Sequence, residues 1–221
     1  MSEEKRFELE SETIGALPII NWFLSRIGIA EHLEHAIPRD DVRLRLAPAD
    51  VIGVVLRNII VSHRPLYALG EWAGPFDPSV LGLGPDGIAA FNDDRVGRTL
   101  DRLFDADRAT LITQTVLGVV REFDLLLEQL HNDSTTITLT GTHYPGGGEN
   151  RGGRAVAKPA HGHNKDFRPD LLQLLFVLTI SADGAVPIAY RVEDGNTPDD
   201  ITHIPTWDEL RALVGHSNFI Y

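Results

Sequence analysis

The chain has 221 residues, 43% of them hydrophobic, with no cysteine and a formal net charge of −12. This length allows one large domain or two small ones, the missing thiols exclude disulfides and thiolate metal sites, and the acidic balance argues against nonspecific coating of nucleic acid. No apolar run approaches the roughly 18 residues of a membrane span, and Ser2-Glu3-Glu4-Lys5-Arg6 has no apolar signal core, so no membrane contact and a cytoplasmic location are expected.

In chain order, residues 1–12 form a charged arm. Ile19, Ile20, Phe23, Leu24 and Ile27 fall at helical spacing, with Gly28 as the stop. A second short helix carries Leu33 and Ile37 up to Pro38. Pro48-Ala49-Asp50 opens an apolar helix through Val61, and Pro65 starts another with Leu66, Leu69 and Trp72 on one side. Gly74-Pro75-Phe76-Asp77-Pro78 breaks that helix, and Gly82, Gly84, Pro85 and Gly87 mark a loop. Asn92-Asp93 reads as a helix N-cap with acids in the first turn. In the helix that follows, Arg95, Arg98 and Arg102 share a face, and Asp94, Asp101 and Asp105 stand at pairing distance, which predicts a salt-bridged solvent face. From Arg108 to Leu130 a long amphipathic pattern runs through Leu111, Val116, Val120 and Phe123. No strand signal appears in the first 128 residues.

At His131 the texture changes. His131-Asn132-Asp133-Ser134-Thr135-Thr136-Ile137-Thr138-Leu139-Thr140 reads as a β-strand with Ile137 and Leu139 at odd positions and small polar residues at even ones. Period-2 geometry sends His131, Asp133 and Thr135 to one face. An ionised Asp133 within a strand is disfavoured unless something binds it. A glycine-rich stretch, Tyr144 to Gly153, lacks the lysine-serine end of a phosphate-binding loop and reads as a mobile connection. Leu171–Ile180 is nearly all apolar, which predicts a central strand beside the Asp133 strand, buried on both faces. After an Asp183-Gly184 turn, Val186–Val192 alternates as its antiparallel neighbour, and Pro187 is confined to an edge strand or to the strand's first residues. A helix over Pro205–Val214 and an apolar start at Phe219-Ile220-Tyr221 follow.

Charge is uneven. From His143 to Asp170 five bases (Arg151, Arg154, Lys158, Lys165, Arg168) face three acids (Glu149, Asp166, Asp170), the one basic island in the chain. It directly follows the Asp133 strand, so phosphate contacts are expected from those five side chains.

Five segments resemble the DDE transposases of bacterial insertion sequences, in particular those with a helical N-terminal domain of unknown function ahead of an RNase H-like catalytic domain. They are Pro65–Trp72, Asn92–Phe104, His131–Thr135, Gly162–Gln173 (Gly-His-Asn-Lys-Asp-Phe-Arg-Pro-Asp-Leu-Leu-Gln) and Asp194-Gly195-Asn196-Thr197. The resemblance implies an α+β protein: an all-helical N-terminal domain over residues 1–128, then the first part of an RNase H-like α/β domain over 129–221. It makes Asp133 the first of three catalytic carboxylates and a metal ligand, in a complete site holding two Mg²⁺ (or Mn²⁺) ions for DNA cleavage and strand transfer. Transposon-end DNA and a second copy of the chain are the expected partners. In the family the second and third carboxylates come after the strand that begins near Phe219, so the reading expects a C-terminally truncated sheet and an inactive isolated chain.

Two other readings compete. The chain could be a non-catalytic DNA-binding or multimerising remnant. It could instead be a hydrolase using His131, Asp133, His143, His161 and His163, with His161-Gly162-His163 at metal-like spacing.

Overall fold

The computed structural model describes residues 11–41, 43–141, 150–151, 153–216 and 218–221. The fold is α+β. Two compact units divide the chain at Leu111 and Ile112.

The first unit is helical: α1 (Leu17–Arg26), α2 (Ile29–Ala36), α3 (Pro48–Val61), α4 (Leu69–Ala73) and α5 (Asp93–Asp105), with α6 (Arg108–Phe123) beginning at its end. Prolines stand in the first turns of α1 and α3, where a missing N–H costs nothing. Gly28, at φ 64°, makes the left-handed step between α1 and α2. The predicted cap on α5 is present: the Arg95 amide donates to Asn92 Oδ1 at 2.9 Å. Leu17, Val51, Val54, Leu69, Leu81 and Val96 are the fully buried centre of this unit. The stripe read on α1 is not that centre, because Ile19 and Phe23 are exposed and Leu17 is the residue packed inside. On α5, Arg98 pairs with Asp94 at 3.0 Å, as the helical spacing suggests. Arg102 instead reaches Asp40 at 2.6 Å.

The second unit contains β1 (Leu130–Leu139), a small hairpin of β2 (Asn150–Arg151) and β3 (Arg154–Ala155), then β4 (Leu172–Ser181), β5 (Pro187–Glu193) and α7 (His203–Val214). The sheet order is β1-β4-β5, antiparallel throughout, with Asp133 opposite Leu178 and Tyr190 opposite the same Leu178 from the other side. β4 is therefore central and β5 an edge, with Pro187 at its first residue, where a missing ladder donor is tolerated. After α7 the chain returns to β1 in parallel: the Leu130 amide donates to Ile220 O and the Ile220 amide to Glu128 O, both at 2.8 Å.

Burial alternates along β4, and only one face is fully covered. Gln173, Leu175, Val177, Thr179 and Ser181 are buried, whereas the residues between them stay half-exposed. The expectation of a strand buried on both faces is corrected here. On the open face Phe176 stacks on Tyr190 at 5.9 Å, beside exposed Ile137 and Val192. On the covered face Val116, Leu130, Ile188, Ala189 and Leu210 form the core, joined by Ile112 and Val120 of α6. Leu111, one residue earlier, packs with Leu33, Ile37, Ala49 and Ile52. The textural change at residue 129 and the packing division within α6 thus fall at different places in the chain.

Candidate functional site

Asp133 lies midway along β1 on the open face, with its side chain 95% exposed. Burial follows the opposite parity: Leu130, Ser134 and Thr136 are buried and Asn132 and Thr138 half-buried. The small polar side chains are inside because they are used there. Thr179 Oγ1 donates to Asn132 Oδ1 at 2.9 Å, and the hydroxyls of Ser134, Thr136 and Thr138 bind residues 164–166.

That 158–170 segment is laid down by a series of specific contacts. Ala160 and Gln173 exchange backbone hydrogen bonds at 3.1 and 3.0 Å. The Gly195 amide donates to Lys158 O at 2.9 Å, and the Lys158 amide donates to Asp194 Oδ1 at 2.7 Å. Gln173 Nε2 donates to Gly195 O at 2.7 Å, leaving Gln173 Oε1 without a partner among the described residues. Glycine is required at the crossing. A methyl on Gly195 falls 1.9 Å from the Gln173 carbonyl oxygen, and one on Gly162 falls 2.3 Å from Gly195 O.

Farther along, buried Asn164 acts as a hub. Its Nδ2 donates to Thr138 Oγ1 at 3.0 Å, and its Oδ1 accepts from the amides of Asp166 at 2.7 Å and Arg168 at 3.3 Å. Thr138 Oγ1 in turn donates to Asp166 Oδ2 at 2.9 Å. Lys165 follows Asn164, and its amide donates to Thr136 Oγ1 at 3.3 Å. Its ammonium donates to the Ser134 carbonyl and to Ser134 Oγ at 3.0 Å. The same Nζ lies 3.7 Å from Asp133 Oδ1 and 4.0 Å from Asp199 Oδ2, while Ser134 Oγ donates to Asp199 Oδ1 at 2.7 Å. Asp133 Oδ1 also accepts from the Ser134 amide at 2.8 Å. Since Leu130 turns its amide outward to Ile220, Ser134 points its backbone to the same outer edge of β1. A lysine on an open strand edge also discourages unwanted strand pairing.

The five basic residues are not equivalent. Lys158 is exposed. Arg168 grips Asp170 through Nε at 2.8 Å and Nη2 at 2.7 Å, and Lys165 is held against β1 as above. Arg151 lies in β2, and of Arg154 the backbone alone is described, in β3. The Tyr144–Glu149 part of the glycine-rich stretch, and His143 with it, lies outside the described residues. His161 and His163 are exposed, and among the described residues no group of three His, Cys, Asp or Glu is gathered to hold a metal. The histidine-centred hydrolase reading therefore gains no support from the residues described.

The Arg168 guanidinium, hydrogen-bonded to Asp170, holds that carboxyl down at about 2 from its ordinary 3.8. A depressed carboxylate stabilises the fold above the unfolded-state pKa, and that contribution is lost as pH falls through the folded one. Any support from this pair is thus constant at neutral pH and disappears between about pH 4 and pH 2. Carboxyl ¹³C titration should place Asp170 at about 2 in the native chain, and Arg168→Ala should bring it back toward 3.8. An unmoved titration in the variant would remove Arg168 as the cause.

Residues 9–117 match the family described as Domain of unknown function (DUF4277). No curated protein and no solved structure matches the chain. The match runs from ahead of α1 into α6, so the DUF4277 region takes in all of α1 to α5, and Asp133 and its surroundings lie beyond it. No helix among the described residues is long and apolar enough to cross a membrane.

Sequence reasoning singled out Asp133 and Lys165 but missed Asp199 and Asn164. A signal for Asn164 was present, since an amide inside His163-Asn164-Lys165-Asp166 can bridge backbone and side chains as a turn hub. Asp199 carried none: its relevance depends on a fold contact 65 residues distant in sequence.

Proposed function

We propose that the chain is part of a DDE transposase: the DUF4277 region followed by the opening strands of an RNase H-like catalytic domain, with Asp133 the first catalytic carboxylate. The observation that carries this reading is the winding of the second unit. An acid-bearing first strand is followed by two antiparallel neighbours, a helix, and a return that runs parallel to the first strand at Gln129 and Ile220. The DUF4277 match adds support, as that domain is found in transposase-like proteins.

Asp133 has the right chemistry for Mg²⁺ or Mn²⁺, which prefer carboxylate oxygens, and its exposure leaves it open to an ion. The donor set fits in kind but not in number, because the described residues gather no third metal-binding side chain around it. In the proposed complete site Asp133 and further carboxylates would hold two divalent ions, which would activate the attacking oxygen and stabilise the leaving one. This chain's own contribution is to fix Asp133 on a paired strand and to present cationic side chains beside it.

The proposed partner is transposon-end DNA. Arg151, Arg154, Lys158, Lys165 and Arg168 are its proposed contacts, Lys158 directly and Arg168 on exchanging Asp170 for phosphate. A second copy of the chain is the proposed protein partner, supported by exposed Ile19, Trp22 and Phe23 on α1. Fluorescence anisotropy on duplex DNA over a salt series tests the nucleic-acid reading. Affinity should fall log-linearly with salt, and Lys158→Glu should flatten the slope by about 0.9 for its phosphate. Salt-independent or absent binding would remove DNA as the partner.

A second reading, a non-catalytic DNA-binding or multimerising remnant, is favoured by the same short donor set at Asp133. Binding of end DNA in Mg²⁺ without cleavage by any longer form of the protein would mark it.

A further inference from the structure

Lys165 sets its ammonium against the candidate catalytic strand, and its place is over-determined. Its amide is tied to Thr136, and Asn164 just before it is buried and tied to Thr138. The side chain then runs to Ser134, where the ammonium meets both the carbonyl and the hydroxyl. An ammonium has three hydrogens. Two are satisfied at Ser134, and the third is left for the carboxylates of Asp133 and Asp199, at 3.7 and 4.0 Å. Of the two Asp133 oxygens, Oδ1 is the one facing the ammonium at 3.7 Å and also the one that takes the Ser134 amide. One oxygen of Asp133 is thus oriented by the chain's own groups and the other is left to solvent.

From this geometry we propose that Lys165 is the positioning residue of Asp133 and competes with a divalent cation for that carboxylate. Before an ion arrives, the ammonium supplies the positive charge that Asp133 and Asp199 would otherwise lack, and it holds Asp133 against the Ser134 amide. Held 3.7 Å from Asp133 Oδ1, the Lys165 ammonium would repel a divalent cation at that carboxylate and weaken its binding unless the lysine side chain moved away. The side chain is about one-third exposed and sits at a strand edge, so it has room to move. Once released it lies beside the same carboxylate, free for a phosphate. This accounts for a basic residue of the island being laid against β1, and it rests on the reading of Asp133 as a metal ligand.

The test uses the ¹⁵N-labelled 221-residue chain and Mn²⁺ alone. Paramagnetic broadening of the Ser134 amide reports an ion at Asp133, and Asp133→Asn should abolish it. Lys165→Met should tighten Mn²⁺ binding about 3- to 10-fold, the range expected for one screened positive charge near the site. Lys165→Arg, which keeps the charge, should return affinity toward the native value. Lys165→Gln, which also removes the charge but keeps a polar side chain, should tighten Mn²⁺ binding to a similar extent, which covers the case in which Lys165→Met does not fold. Equal Mn²⁺ affinity in the native, Lys165→Met and Lys165→Gln chains overturns the role of Lys165 and leaves Asp133 a ligand. No broadening of Ser134 in any chain overturns the metal-ligand reading itself, and the proposal falls with it.

Discussion

Gly195→Ala should cost about 3 kcal/mol of stability, at the upper end for overpacking a well-filled site. The added methyl would meet the Gln173 carbonyl oxygen at 1.9 Å and both backbone polar atoms of Ala160 within 2.8 Å. These are main-chain atoms of a central strand and of the segment bonded to it, so no side chain can swing away. Relief has to come from parting Ala160 from Gln173, which breaks their two backbone hydrogen bonds and lifts the start of the 158–170 segment. Urea unfolding measures the loss. Native-state hydrogen exchange at Ala160, Gln173 and Gly195 shows whether the segment opens before the sheet does. A loss below about 1 kcal/mol would mean that the crossing is looser than the geometry indicates.

The same crossing shows what was legible in the sequence. Asp194-Gly195-Asn196 announces a turn, because glycine and the short amides serve turns by known mechanisms. It does not announce that Gly195 sits under Ala160, since a close approach between segments far apart in sequence leaves no local mark. β1, β4 and β5 were readable because threonines, aliphatics and period-2 alternation are local properties, whereas the β2–β3 hairpin begins inside the glycine-rich stretch that reads as a mobile connection. The return of Ile220 alongside β1 was not readable beyond an apolar start. Face assignment was harder still. In β1 the apolar side chains Ile137 and Leu139 look like the inward set, yet Ser134 and Thr136 are the buried ones. Their hydroxyls find partners on the 158–170 segment, and a satisfied hydroxyl can be buried at little cost. Hydropathy cannot anticipate such partners. The basic island was visible as composition, whereas its division into Lys158 facing outward, Arg168 on Asp170 and Lys165 on Ser134 is set by tertiary contacts.

The largest expected effect is at Asp133. Two divalent ions held about 4 Å apart repel strongly, and only several anionic oxygens between and around them make the arrangement tolerable. Asp133 brings one negative charge, with the Lys165 ammonium 3.7 Å away, and the described residues gather no further pair of carboxylates at that point. The 221-residue chain is therefore expected, under the transposase reading, to take up Mg²⁺ weakly and neither to nick DNA nor to join strands. Under the transposase reading, fusing or co-expressing a polypeptide that carries the remaining carboxylates of an RNase H-like site should produce metal-dependent cleavage at element ends. In that active assembly Asp133→Asn should reduce cleavage by several orders of magnitude. Asparagine keeps the size of the side chain, and its amide oxygen can still take the Ser134 amide, but it removes the anionic oxygen an ion needs. DNA affinity and its salt slope should stay within about twofold, because the proposed phosphate contacts are other side chains. A gel assay for nicked and joined products, run beside an anisotropy titration, separates the two quantities. Cleavage by the 221-residue chain alone in Mg²⁺, or an active assembly that keeps its rate with Asp133→Asn, would take Asp133 out of the chemistry.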